Sequence, residues 1–172
     1  MKWTVGFVMG ILLLSCWMLL YEQRKTSDNL PESTACLHME DRALNRRVSG
    51  YLENQLLEVW GNPSYADAHS LVWKLEDGAL SVKRDSQGKA VSCRALRIED
   101  LPVLNDIAAM TEEEISICLT GRFTDQLSPI WGEADGEKDG DLIWNLPLHS
   151  PHREVSLLIN DWGMVLSAKF KD

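Results

Sequence analysis

The side chains able to carry chemistry are few and can be weighed one group at a time. Asp135, Glu137, Asp139 and Asp141 alternate with other residues and Gly140 stands sixth, which is the opening of a calcium loop. The twelfth place of such a loop needs a bidentate Glu and here holds Leu146, so a solvated turn is the expectation and no metal is expected. His149 and His152 flank Ser150 and Pro151, yet a closed zinc site needs four ligands and no Cys or carboxylate is fixed beside this pair. They read as a hairpin tip. Cys36, Cys93 and Cys118 could pair in an oxidising compartment, Cys36 with Cys118 or either with Cys93, but three thiols leave one odd. The chain has no Gly-x-Ser-x-Gly, no His-Glu-x-x-His and no Gly-rich phosphate loop. No nucleophile and base are paired by spacing, so an enzyme is not expected and no cofactor is implied.

The elements that would position any site are set by an internal repeat. The run from Ser49 and Gly50 through Gln55, Leu56, Trp60 and Gly61 matches the run from Thr120 and Gly121 through Gln126, Leu127, Trp131 and Gly132 at an offset of 71. Leu71, Trp73 and Leu75 fall on Leu142, Trp144 and Leu146 in the same register. After a four-residue insertion, Leu80 and Val82 match Val155 and Leu157, Asp85 with Gly88 matches Asn160 with Gly163, and Cys93 matches Ala168. Two units follow, residues 41–96 and 111–172, joined by a connector at 97–110.

Each unit reads as one helix and three antiparallel strands, an α+β arrangement. Leu52, Leu56, Val59 and Trp60 make a helical stripe that Phe123, Leu127, Ile130 and Trp131 repeat. Gly61 and Gly132 are expected to end these helices in a left-handed cap. The period-two alternation of Leu71, Trp73 and Leu75 predicts the first strand. The Asp85–Gly88 and Asn160–Gly163 spacings predict tight turns between the second and third strands. Thr111 with Glu114 is a capping-box signature for an extra short helix, with residues 41–48 as its counterpart. A unit of this size is marginal alone, so the two are expected to pack around one interior.

Equal spacing of Trp60, Trp73, Trp131 and Trp144 is what duplicated packing predicts, so these four are read as core. Cys93, aligned with Ala168, is also read as core. Trp162 differs, because its turn position holds Gln87 in the first unit and the fold does not require an aromatic there. Tyr65 is also loop-borne. These two are the candidate protein-contact residues.

The pattern of a Gly before a short helix, Gln before an apolar residue within it, Gly-x-Pro, an aromatic strand and a hairpin with Asp/Asn-x-x-Gly resembles the SmpA/OmlA (BamE) envelope proteins. It is similar also to the β-lactamase inhibitor proteins, built from two such units in tandem. The matching residues are Gly50, Gln55, Gly61, Pro63, Trp73 and Gly88, then Gly121, Gln126, Gly132, Trp144 and Gly163. Leu52 and Phe123 stand where the BamE pattern has a helix-capping Ser or Thr, so Ser49 and Thr120 are expected to cap instead. The resemblance implies an extracytoplasmic α+β module that binds other proteins and has no catalytic centre.

The N-terminus bears on location. Residues 3–21 hold no charge and no Pro, and at about 1.5 Å per residue they approach the roughly 30 Å of a bilayer core. Residues 1–25 are thus expected to be a membrane anchor, a transmembrane helix with the bulk of the chain extracytoplasmic. Leu13, Leu14, Ser15 and Cys16 offer the alternative of a lipoprotein signal with Cys16 lipidated, although the apolar residues 17–21 that follow favour the uncleaved anchor. Residues 26–40, polar and with one Pro, read as a linker. Without residues 1–25, which hold Lys2, Arg24, Lys25 and Glu22, 14 basic and 25 acidic side chains remain, a net of −11. That charge disfavours nucleic acid and anionic headgroups as partners. The expected function is a membrane-anchored protein-binding module of the cell envelope. An inhibitor or immunity-type protein that blocks an envelope hydrolase is the alternative.

Overall fold

The computed structural model describes residues 27–171. The expected membrane segment and Cys16 lie outside the described residues. Among the described residues no helix is long and apolar enough to cross a membrane. The chain is α+β, with two four-stranded antiparallel sheets in tandem.

The first unit runs through a 3-10 turn (Ser27–Asn29), α1 (Ser33–Leu37), α2 (Asp41–Val48), α3 (Glu53–Trp60), β1 (Tyr65–Ala66), β2 (Ser70–Leu75), β3 (Gly78–Arg84) and β4 (Ala90–Arg97). The second repeats the series with a 3-10 turn (Ile98–Asp100), α4 (Leu104–Ile107), α5 (Glu112–Leu119), α6 (Thr124–Trp131), β5 (Gly136–Lys138), β6 (Asp141–Asn145), β7 (Glu154–Ile159) and β8 (Val165–Lys171). Each sheet is a meander in sequence order. The register is duplicated in detail: Trp73 pairs with Leu80 as Trp144 pairs with Val155, Val82 with Cys93 as Leu157 with Ala168, and a bulge follows Lys83 and Leu158 alike.

Several expectations are corrected. The expected linker at 26–40 and connector at 97–110 are parts of the repeat itself, and each adds a 3-10 turn and a short helix. Leu30, Cys36 and Leu37 are buried in the first unit as Leu101, Ile107 and Ala108 are in the second. The sheets have four strands rather than three, because the short segments β1 and β5 add an edge to each. Ser49 and Thr120 do not cap α3 and α6. They close the preceding helices, each donating its N–H to a carbonyl four residues back. The starts of α3 and α6 are held from within, since Gln55 Oε1 accepts from Leu52 N at 2.9 Å and Gln126 Oε1 accepts from Phe123 N at 3.2 Å. This is half of a capping box, in which the third helical residue reaches back to the first free donor. Thr111 and Glu114 form the complete box at α5, with Thr111 N donating to Glu114 Oε2 at 2.8 Å and Glu114 N to Thr111 Oγ1 at 3.3 Å.

The four repeat tryptophans pack as two edge-to-face pairs, Trp60 on Trp73 with ring centroids 5.1 Å apart and Trp131 on Trp144 at 5.6 Å. Their indole N–H groups share the same duplicated partners. Trp60 donates to Pro31 O at 2.7 Å and Trp131 to Pro102 O at 2.8 Å. Trp73 donates to Gly61 O at 2.9 Å and Trp144 to Gly132 O at 3.2 Å. Gly61 and Gly132 take φ of 74° and 78° but ψ of −167° and −175°, so the cap is not left-handed helical as expected. It is an extended positive-φ conformation that only glycine adopts readily, and it turns the carbonyl to meet the indole.

A shared interior was expected, and instead each unit keeps its own core. Helices cover one face of each sheet, and a third, small cluster of Val72, Ala79, Leu96, Phe123 and Met164 joins the units. The start of α6 therefore sits on the helix-free face of the first sheet. That is why Leu71, Val72 and Trp73 are buried in succession, where a sheet covered on one side would alternate.

Candidate protein-contact site

The site is built where the second unit meets the edge of the first sheet. Tyr65 lies on β1, the edge strand, and Trp162 lies in the turn between β7 and β8. They are far apart in sequence, yet their rings meet at a centroid distance of 6.1 Å and an angle of 64°. Both candidates from the sequence are thus brought into one aromatic patch. Tyr65 is half-buried and packs against the junction cluster, while Trp162 is 65% exposed. The aromatic platform has one face supported by the fold and one facing solvent.

The backbone under each ring is fixed by a short polar side chain. At the Trp162 turn, Asn160 Oδ1 accepts from Trp162 N at 3.1 Å and from Met164 N at 2.9 Å, and Gly163 N donates to Asn160 O at 2.9 Å. Asp85 makes the same bonds in the first unit, to Gln87 N and Lys89 N at 2.9 Å each, with Gly88 N on Asp85 O at 3.0 Å. The turns are equivalent and the outward side chain is not, Trp162 against Gln87. At Tyr65 the organiser is Asp67. Its Oδ1 accepts from His69 N and Ser70 N at 2.7 Å each, and its Oδ2 accepts from Tyr65 Oη at 3.0 Å. Partial burial pushes the Asp67 carboxyl up, but the bonds from His69 N, Tyr65 and Ser70 N outweigh it and hold the group below its ordinary range. The same bond, with burial and the carboxylate charge, raises the Tyr65 phenol above its ordinary value.

Beside the aromatic pair lies a shallow hollow of about 180 Å³ whose lining includes Tyr65, Asp67, Val72, Gly121, Met164 and Leu166. Leu166 on β8, which lines this hollow, and Leu158 on β7 are exposed at 39% and 42%. Such a platform can receive an apolar or aromatic side chain of a protein while the Asp67 carboxylate offers a hydrogen-bond acceptor at its rim.

The other residues singled out in the sequence lie elsewhere. Gly50, Gln55 and Gly88 frame the start of α3, with Gly50 N on Ala90 O at 2.8 Å and Glu53 N on Gly88 O at 2.9 Å. Gly121 and Gly163 frame α6 through Val165 O and Thr124 N in the same way. Asp135 Oδ2 accepts from Asn145 N at 2.7 Å, Asp141 Oδ2 accepts from Ser156 Oγ at 2.7 Å, and Glu137 sits on β5, so these carboxylates serve the hairpin. Among the described residues no three His, Cys, Asp or Glu side chains converge as a metal-ligand set. His152 stacks on Phe170 at 4.2 Å and His149 is exposed. Arg122 and Gln126 are buried polar residues at the junction. Arg122 Nη1 donates to Arg97 O at 2.7 Å, and Gln126 Nε2 to Gly78 O at 2.6 Å and Leu75 O at 3.3 Å. The role of Arg122 is not signalled by the repeat, since its counterpart is Tyr51.

Compared with protein-family models, curated proteins and solved structures, the chain matches none. The resemblance to the BamE and β-lactamase inhibitor proteins rests on its residues alone.

Proposed function

We propose that this chain is a protein-binding module of the cell envelope, held at the membrane by residues 1–25 with the bulk extracytoplasmic, and that it acts by binding rather than catalysis. The observation that carries the reading is the Tyr65–Trp162 pair. A tryptophan that the fold does not need, 65% exposed, is braced by a second aromatic at the unit junction. A large exposed indole costs solvation and contributes nothing to the core, which is the profile of an interface anchor. The net charge of −9 favours a partner with a basic or neutral contact face.

The alternative, an inhibitor or immunity-type protein acting on an envelope hydrolase, is favoured by one feature. The second unit alone carries the insertion between β6 and β7, and Leu148 in it is 100% exposed. A projecting apolar tip suits insertion into a cleft. A photo-activatable residue at position 162 or at 148 of the full chain, cross-linked in its native membrane, tests both. An assembly component captured from position 162 supports the first reading, and a hydrolase captured from 148 supports the second. Capture of nothing from 162, or Trp162→Ala leaving capture of the partner from neighbouring positions unchanged, overturns the anchor assignment.

A further inference from the structure

We propose that Cys36 and Cys93 form a disulfide that fastens α1 to β4 in the first unit, with Cys118 left as the free thiol. Both residues carry free thiols in the structure, with Cys36 Sγ donating to Pro31 O at 3.7 Å, and both lie in one core cluster where α1 packs on β4, with exposures of 0% and 1%. Cys118 belongs to the other unit, on a half-exposed position of α5 that packs against the second core. The repeat gives an independent check on the pairing. Cys36 corresponds to Ile107 and Cys93 to Ala168, and these two are 0% and 3% exposed in the core of the second unit. A large and a small apolar side chain there fill the space that two thiols fill in the first unit.

The bond also has a mechanical reason at this site. A helix of five residues is unstable by itself. Arg97 already ties the end of α1 down, with Nε donating to Leu37 O at 2.6 Å and a second donor reaching Met39 O. A disulfide from Cys36 adds a covalent tie to the same strand. Burial pushes the Cys36 thiol up to about 11, and burial together with the nearby Cys36 group pushes Cys93 up too. The thiolate is therefore scarce in the folded chain, so the bond forms as the chain folds and resists reduction afterwards.

The chemistry is thiol–disulfide exchange with a small-molecule disulfide such as oxidised glutathione. One protein thiolate attacks and releases one glutathione thiol, then the second displaces the other, so one disulfide is consumed and one is formed. Its occurrence in the cell rests on the extracytoplasmic reading above, whereas its formation from purified chain does not. The test is refolding of the full chain in a glutathione couple, followed by alkylation and non-reducing tryptic mapping. The thiols fall on separate peptides, residues 3–24, 26–42, 90–94 and 98–122. The expected result is 26–42 joined to 90–94, with 98–122 alkylated at Cys118. Reduction should then lower the melting temperature by on the order of ten degrees, as expected for a closed loop of this length. Cys118→Ala should keep that drop and Cys93→Ala should abolish it. Linkage of 26–42 to 98–122 or to 3–24, or alkylation of every thiol, overturns the proposal, and the mapping needs no variant to fold. The bond formed in vitro but absent from protein isolated from cells would count against the compartment and in favour of the pairing.

Discussion

Gln55 and Gln126 occupy the same repeat position and look interchangeable in sequence, yet only Gln126 lies buried at the unit junction. Each accepts from the first free N–H of its helix, Leu52 N at 2.9 Å or Phe123 N at 3.2 Å. Gln126 is 4% exposed and also donates across the unit junction to Gly78 O at 2.6 Å and Leu75 O at 3.3 Å. Replacing it with Met keeps the length of the side chain and removes both polar ends. Phe123 N is then buried without a partner, Gly78 O keeps only its hairpin pairing with Leu75, and an unsatisfied buried group costs about 1–3 kcal/mol. The Leu75 bond is long and partly solvated, so it adds little, and the expected loss for Gln126→Met is about 1–3 kcal/mol. In Gln55→Met the exposed Leu52 N is met by water, and the loss is about 0.5–1 kcal/mol. Urea unfolding of the two variants, followed by tryptophan fluorescence, measures the difference directly. It should appear as a shift of the midpoint without a change of slope. In melting temperature the gap amounts to several degrees for a chain of this size. Equal losses would refute the assignment of Gln126 to the junction, because they would mean that capping alone accounts for both residues.

Two further outcomes follow from the same geometry. Trp131→Phe leaves Pro102 O without its indole donor and should destabilise by about 1–3 kcal/mol, whereas after Trp60→Phe Pro31 O keeps the weak Cys36 Sγ donor at 3.7 Å, so the loss there, read in parallel urea titrations, should be no larger. If Trp60→Phe were silent, residues 27–31 would not be docked as described. Asp67 titrates below its ordinary value in the folded chain, so whatever stability it contributes is present above the unfolded pKa of about 3.9 and is lost as pH falls through the lower folded value. An NMR titration of its carboxyl carbon should give a midpoint below that of an ordinary aspartate, and Tyr65→Phe, which removes one donor, should move it upward.

Much of this architecture was legible because duplication makes spacing a second witness. The Trp60–Trp73 interval recurs as Trp131–Trp144, and the two pairs share ring geometry and carbonyl partners. The turns at Asp85 and Asn160 were legible for the same reason. Residues 27–40 were not, because the segment is polar and short and its buried residues are only Leu30, Cys36 and Leu37. The signal was nonetheless available. Carried upstream, the offset of 71 sets Leu30 and Pro31 on Leu101 and Pro102, and those prolines supply the carbonyls that the first tryptophan of each unit needs. The edge strands were missed because two or three residues, Tyr65–Ala66 and Gly136–Lys138, carry no periodicity to read. The meeting of Tyr65 with Trp162 could not be read at all, since it depends on which face of the first sheet receives the second unit.

That choice of face also makes the outer surfaces of the two units unlike the junction between them. The docking surface of the first sheet is Val72, Ala79 and Leu96, and the same register positions in the second sheet are Ile143, Glu154 and Lys171. Two of the three are charged, so a third unit stacked there would bury ions that the first interface does not contain. At the other end, Phe123 and Met164, which make the contact, correspond to Leu52 and Lys89. Leu52 is 44% exposed and Lys89 is exposed, so the first unit presents no matching plug. Neither outer surface thus offers the apolar contact that joins these two units. Against that background the bare indole of Trp162 stands out on physical grounds. The second sheet carries charge where the first has apolar contact, whereas at position 162 an aromatic stands where the sister turn carries a polar amide. Its ring packs on Tyr65 across the unit junction and leaves the rest of the indole to solvent.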